Sequence, residues 1–107
     1  MASFKEIDST TLDSLISTEH VMLVDVRTDE EAARGIIHSA LHIPLHTLPL
    51  RTEELEGENP LVFYCHSGIR SAQACSYLAN QGRKNIFNLR GGVLGWGAAG
   101  YTLELKR

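Results

Sequence analysis

The sequence is poor in the features that mark several protein classes. Two cysteines in 107 residues are too few for a disulfide framework, so a reducing, cytoplasmic setting is expected. No apolar run is long enough to span a membrane, and the start, Met1-Ala2-Ser3-Phe4-Lys5-Glu6, lacks the apolar core of a signal peptide. No basic block is longer than Arg83-Lys84 and the formal net charge is −3, which gives no general attraction to nucleic acid. Neither a nucleic acid nor a membrane is therefore an expected partner. Linkers, repeats and low-complexity stretches are also missing. What remains is an ordinary globular composition, with a length that suits one domain over residues 1–107 and a core that needs no staples.

Strand-like and helix-like segments alternate along this chain, a pattern that predicts a mostly parallel sheet covered by helices on both faces. Val21-Met22-Leu23-Val24-Asp25-Val26 is nearly all apolar until Asp25, as a central strand buried on both faces would be. Thr28-Asp29-Glu30-Glu31 has capping-box spacing, so a short helix should start there and stop near Gly35. Ala40–Ile43, Leu61–Tyr64 and Ile86–Leu89 read as further strands, and Phe4–Ile7 as an edge strand. Ser9–Ile16 and Ser71–Gln81 read as helices, the second ended by Gly82 as a left-handed stop. Arg90-Gly91-Gly92 then turns the chain into a last short helix through Trp96. In a parallel sheet the carboxyl ends of the strands share one rim, where ligands sit. Asp25-Val26-Arg27 and Cys65 both fall at such ends and should meet.

Cys65-His66-Ser67-Gly68-Ile69-Arg70 carries the chemistry. The thiol lies between a strand end and a helix start, where backbone N–H groups and the helix dipole favour negative charge. Consecutive inward N–H groups make an anion nest, Gly68 supplies the left-handed residue such a loop needs, and Arg70 adds a permanent charge with a forked donor. These features favour the thiolate, the reactive form, and fit attack on a sulfane sulfur whose anionic leaving group is held by the same donors. The competing reading is a buried structural cysteine beside a helix start.

The loop with Ser71 is similar to the Cys-x-x-Gly-x-Arg-Ser loop of the single-domain rhodaneses, or thiosulfate sulfurtransferases. Leu23-Val24-Asp25-Val26-Arg27 resembles that family's Asp-Val-Arg strand end. Glu31 and Gly35, with Ile37, Ala40, Ile43 and Pro44, resemble its Glu-x-x-x-Gly-His-Ile-x-Gly-Ala-x-x-Ile-Pro segment. Leu89-Arg90-Gly91-Gly92 and Trp96 resemble its Gly-Gly-x-x-x-Trp ending. The resemblance covers nearly the whole chain. It implies a five-stranded rhodanese-like α/β fold, no cofactor, and a persulfide on Cys65. The sulfur would come from a small anionic donor such as thiosulfate and pass to a thiol, to cyanide in vitro, or to a protein acceptor. By the same analogy the amides of His66, Ser67, Gly68, Ile69 and Arg70 cradle the persulfide and the donor. Asp25 and Arg27 support the site through salt bridges, with Arg27 and Glu31 as a plausible local pair. Ile36 stands where the family usually has His, Ser39 where Gly is frequent, His42 where Asn is common and Ala32 where an aromatic is usual. These departures bear on the cleft rim, where Ile36, His38, His42, His66 and Ile69 would choose the substrate.

Two further functions use the same loop. The cell-cycle dual-specificity phosphatases share this fold but carry one more residue between Cys and Arg, to hold a tetrahedral phosphate. Phosphatase or arsenate reductase activity is therefore the alternative enzyme reading, and a persulfide carrier or interaction module without efficient turnover is the third. His38, His42 and His46 recur every four residues, the spacing of paired metal ligands on a helix, but Pro44 interrupts the helix such a site requires, so no metal site is expected. His66 is expected to point outward from the loop. Cys75 falls on the helix face with Ala72, Leu78 and Ala79, which predicts a buried, inert thiol.

Overall fold

The computed structural model describes residues 3–18 and 20–106. Among them, strands Lys5–Ile7 (β1), Met22–Asp25 (β2), Leu41–His42 (β3), Leu61–Tyr64 (β4) and Ile86–Leu89 (β5) alternate with helices Ser9–Thr18 (α1), Asp29–Ala33 (α2), Ile69–Asn80 (α3) and Gly92–Ala98 (α4). Two 3-10 segments, Leu45–Leu50 and Thr52–Leu55, link β3 to β4. The strands form one sheet in the order β1-β5-β4-β2-β3, and every pairing in it is parallel. The expected elements are present with boundaries shifted by one or two residues. Helix α3 starts earlier than the pattern predicts, because the left-handed Gly68 (φ 110°) lets the chain turn directly from the loop into the helix.

Alternation along the strands sorts the core into two layers. Val24, Leu61, Phe63 and Ile86 pack with Ala74, Cys75 and Leu78 of α3 on one face. Leu23, Val62, Tyr64 and Leu89 pack with Leu12 of α1 and Trp96 of α4 on the other. Leu12, Val24, Val62 and Phe63 are wholly buried, each contributing about 1.5–3 kcal/mol by leaving water.

The register decides what reaches the rim. Asp25 lies beside His42 on one side and Tyr64 on the other, and Val26 N donates to Tyr64 O at 3.0 Å. The Asp25 and Cys65 segments are thereby neighbours at the carboxyl edge, as the parallel topology requires. No helix among the described residues is long and apolar enough to cross a membrane.

Candidate active site

Cys65 follows β4 directly, and the chain circles its sulfur before entering α3. Three hydrogen bonds converge on Sγ, from Gly68 N at 3.1 Å, Ser71 N at 3.4 Å and Ser71 Oγ at 3.3 Å. Cys65 is only 1 % exposed. Burial pushes its thiol up, but the hydrogen bonds from the Ser71 hydroxyl and from the Ser71 and Gly68 amides, with the nearby Ser67 amide, outweigh it and hold the pKa below the ordinary value. A thiol in an apolar pocket without these donors would titrate high, as Cys75 does. Cys75 is buried, donates to Phe87 O at 3.4 Å, and is pushed far up, chiefly by desolvation.

Of the amides from His66 to Arg70 that the resemblance assigns to the persulfide and the donor, Gly68 N already donates to the bare Sγ. Among the described residues, the amides of His66, Ile69 and Arg70 make no hydrogen bond to Sγ. Those of Ile69 and Arg70 lie in the first turn of α3, where no intrahelical acceptor exists.

The loop is held from three sides. From α4, Val93 N donates to Cys65 O at 2.9 Å and Leu94 N to His66 O at 3.2 Å. A Cβ on Gly92 would lie 2.5 Å from both carbonyl oxygens, so only glycine permits this approach. From β5, Asn88 Nδ2 donates to Gly68 O at 3.1 Å. From α2, the Glu31 carboxylate takes the Arg70 guanidinium in a bidentate pair at 2.7 and 2.9 Å. Glu31 also completes the capping box of its own helix with Thr28. Its hydrogen bonds from Arg70 outweigh its desolvation and, with those from Thr28, bring its pKa down to about 2.

A model of the rhodanese-like domain matches residues 8–99 of the sequence. The chain belongs to the rhodanese-like family. It is 48% identical over 99 residues to a protein of Allochromatium vinosum named sulfurtransferase, covering 92% of each chain. It is 42% identical to YtwF of Bacillus subtilis, named a putative sulfurtransferase, over 86% of this chain and 89% of that one. Its fold superposes on the crystal structure of a rhodanese-like domain protein from Staphylococcus aureus with a TM-score of 0.86 and 35% identity, covering 97% of this chain and 100% of that one.

Within this rhodanese-like domain the sequence-predicted residues fall into place unevenly. Cys65, Ser67 and Gly68 form the sulfur's surroundings, while His66 is exposed and Ile69 is 72% exposed beside them. Asp25 and Arg27 form a buried ion pair, closest at 2.7 Å, and the Arg27 guanidinium also donates to Gly35 O at 2.6 Å. The expected Arg27–Glu31 pair does not form, because Asp25 takes Arg27 and Arg70 takes Glu31. The departures from the family pattern are mostly packing positions. Ile36, His42 and Ala32 are buried, His42 Nε2 donates to Arg27 O at 2.8 Å, and Ile36 and His42 line the floor of an open pocket with His38. Ser39 has φ 69°, a left-handed conformation in which glycine is the cheaper residue. His38 pairs with Glu104 at 2.8 Å, and His46 lies in a 3-10 segment. Among the described residues no group of three His, Cys, Asp or Glu is placed to hold a metal.

Four contributors escaped the sequence reading: the Ser71 hydroxyl, Asn88, Gly92 and the partnership of Glu31 with Arg70. Asn88 left a signal, a polar residue inside an otherwise apolar strand. So did Gly92, the second of two glycines ahead of a helix.

Proposed function

We propose that this chain is a sulfurtransferase with Cys65 as its nucleophile. The carrying observation is the convergence of the Gly68 amide, the Ser71 amide and the Ser71 hydroxyl on a single buried sulfur, with family membership supporting it. In the first half-reaction the Cys65 thiolate attacks the outer sulfur of thiosulfate or a related sulfane donor. A bond forms between Sγ and that sulfur, the donor's S–S bond breaks, and its electron pair leaves with sulfite. In the second, a thiolate or cyanide attacks the outer sulfur of the persulfide, and the Cys65 thiolate is the leaving group. Atoms and electrons balance over the cycle without a cofactor.

The amides of Ile69 and Arg70, with the charge of Arg70, are the proposed seat for the donor's anionic end and for the outer sulfur of the persulfide. His66, Ser67 and Gly68 shape that seat. Asp25 and Arg27 hold the strand end beneath it without touching substrate. A nucleophilic cysteine only 1 % exposed favours a slender sulfane over a bulky centre, and the six-residue span from Cys65 to Arg70 points away from phosphate. A free thiolate requires a reducing compartment, so the cytoplasm is the proposed setting.

The test is intact mass after incubation with thiosulfate. One added sulfur atom, absent in Cys65→Ser, together with thiocyanate formed from cyanide, is the expected result. A chain that gains no sulfur and forms no thiocyanate, or that turns over an aryl phosphate or arsenate instead, overturns the reading. A persulfide that forms once and is not discharged would assign the chain as a carrier.

A further inference from the structure

Asn88 is 2 % exposed and sits in β5 between apolar residues. Its amide nitrogen spends both protons at once. One end of the contact is the Glu6 carboxylate, at 3.2 Å to Oε1 and 3.1 Å to Oε2. The other is the carbonyl of Gly68 at 3.1 Å. All three partners are acceptors, so the orientation of the amide is settled by its surroundings. Its own oxygen, Oδ1, is buried with no hydrogen-bond partner. A buried polar atom left unpaired is rare and costly, and it is tolerated here because the donor end of the same group is fully engaged.

Gly68 is the residue whose N–H reaches Cys65 Sγ at 3.1 Å. At φ 110° it occupies a region in which glycine rotates freely. Its carbonyl also accepts from Ala72 N at 3.2 Å, which ties it to α3 on one side only. Asn88 grips the same carbonyl from the sheet. With both contacts in place the conformation of Gly68 is fixed and its N–H stays aimed at the sulfur. Glu6 is placed for this work by the parallel register that sets it beside Asn88, so the edge strand β1 takes part in shaping the loop. Asn88 makes no hydrogen bond to Sγ and reaches the loop through the Gly68 carbonyl.

We propose that Asn88 is a positioning residue for the nucleophile: anchored on Glu6, it pins the Gly68 carbonyl from below and so keeps the Gly68 N–H directed at Cys65 Sγ. The inference rests on reading Cys65 as a thiolate nucleophile. Asn88→Ala removes the grip. Asn88→Asp keeps the shape but sets a carboxylate against Glu6 and the Gly68 carbonyl, and its effect is larger.

The experiment is the pH dependence of Cys65 alkylation by iodoacetamide, read by intact mass on the full chain, beside a thermal melt. The apparent pKa in Asn88→Ala is expected to rise by about half a unit to one unit, so that alkylation near pH 7 slows about three- to tenfold. An unshifted titration in a folded, less stable variant would reduce Asn88 to a structural residue and overturn the proposal. In the unmodified chain the side-chain amide resonance of Asn88 is expected to follow the Cys65 titration by NMR, and to stop doing so in Cys65→Ser. An amide that ignores the thiol would overturn the proposal without any Asn88 variant having to fold. A wild-type thiol that titrates at or above about 8.5 would instead sink the nucleophile reading on which the inference stands.

Discussion

Glu31 and Arg70, 39 positions apart, lock together through two parallel hydrogen bonds of 2.7 and 2.9 Å across the mouth of the cysteine loop. The carboxylate belongs to the first turn of α2 and the guanidinium to the first turn of α3. One ion pair thus joins two helices that share no strand and places a negative charge next to the cation of the loop.

Glu31→Gln retains a capping-box oxygen but removes the charge. Because the folded pKa of Glu31 is brought down to about 2 from an ordinary 4.5, its stabilisation is complete above the ordinary value. It is lost as pH falls through that window toward about 2. The pair is partly solvated, with side chains 24 % and 34 % exposed, so the contribution is about 1 kcal/mol after screening. The variant should melt about 4–8 °C lower at pH 7 and lose less stability than wild type between pH 4.5 and 2. Parallel acid limbs for the two proteins would show that the pair does not persist in solution.

Ser71→Ala deletes the one side-chain hydroxyl that donates to Cys65 Sγ and leaves the Ser71 amide in place. The Cys65 pKa should rise by about half a unit to one unit, and alkylation at neutral pH should slow accordingly. Thermal stability should change little. A titration curve that superposes on wild type would mean the hydroxyl faces elsewhere in solution.

Gly92→Ala puts a methyl group where the Cys65 and His66 carbonyl oxygens already sit, 2.5 Å from both, and forces a side chain onto a residue at φ 55°. These oxygens are main chain and cannot move aside without dragging the loop. The expected cost is about 3 kcal/mol or more, seen as a lower urea midpoint, with sulfur uptake lost even at temperatures where the variant is folded. A variant as stable as wild type would show that α4 does not brace the loop.

Asp25→Asn breaks the buried pair with Arg27, whose side chain is 5 % exposed against 0 % for Asp25. The guanidinium stays buried without its counterion, at a cost of about 3–5 kcal/mol, measurable by chemical denaturation. If the true loss is below about 1 kcal/mol, water reaches Arg27 and the pair is not sealed.

The sheet was legible from residue runs alone. Leu61–Tyr64 and Val21–Val26 are continuous apolar stretches of strand length, and burial on both faces of a parallel sheet demands that pattern. The cysteine loop was legible for a similar reason, since a thiol followed by Gly68 and Arg70 is local chemistry at short spacing. Partner choice was not legible. Arg27 and Glu31 stand four apart and invite pairing, yet Asp25 holds Arg27 and Glu31 reaches across to Arg70. How far each rim residue is exposed was not legible either. Ile36 is bridged to Glu104 and His42 is bonded through Nε2 to Arg27 O, so both are mostly buried, while His38 between them is exposed.

By itself the sequence determined the layered α/β core and the position of one acidified thiol at the edge of its sheet, because both depend on interactions between near neighbours: side-chain alternation, capping, and the reach of amides within one turn of Cys65. Only the tertiary structure decided which carboxylate meets which arginine, that Gly92 presses against the back of the loop, and that Asn88 connects Glu6 to Gly68. Those contacts join residues far apart in the chain, and their geometry comes from strand order and register, which no short stretch of sequence contains.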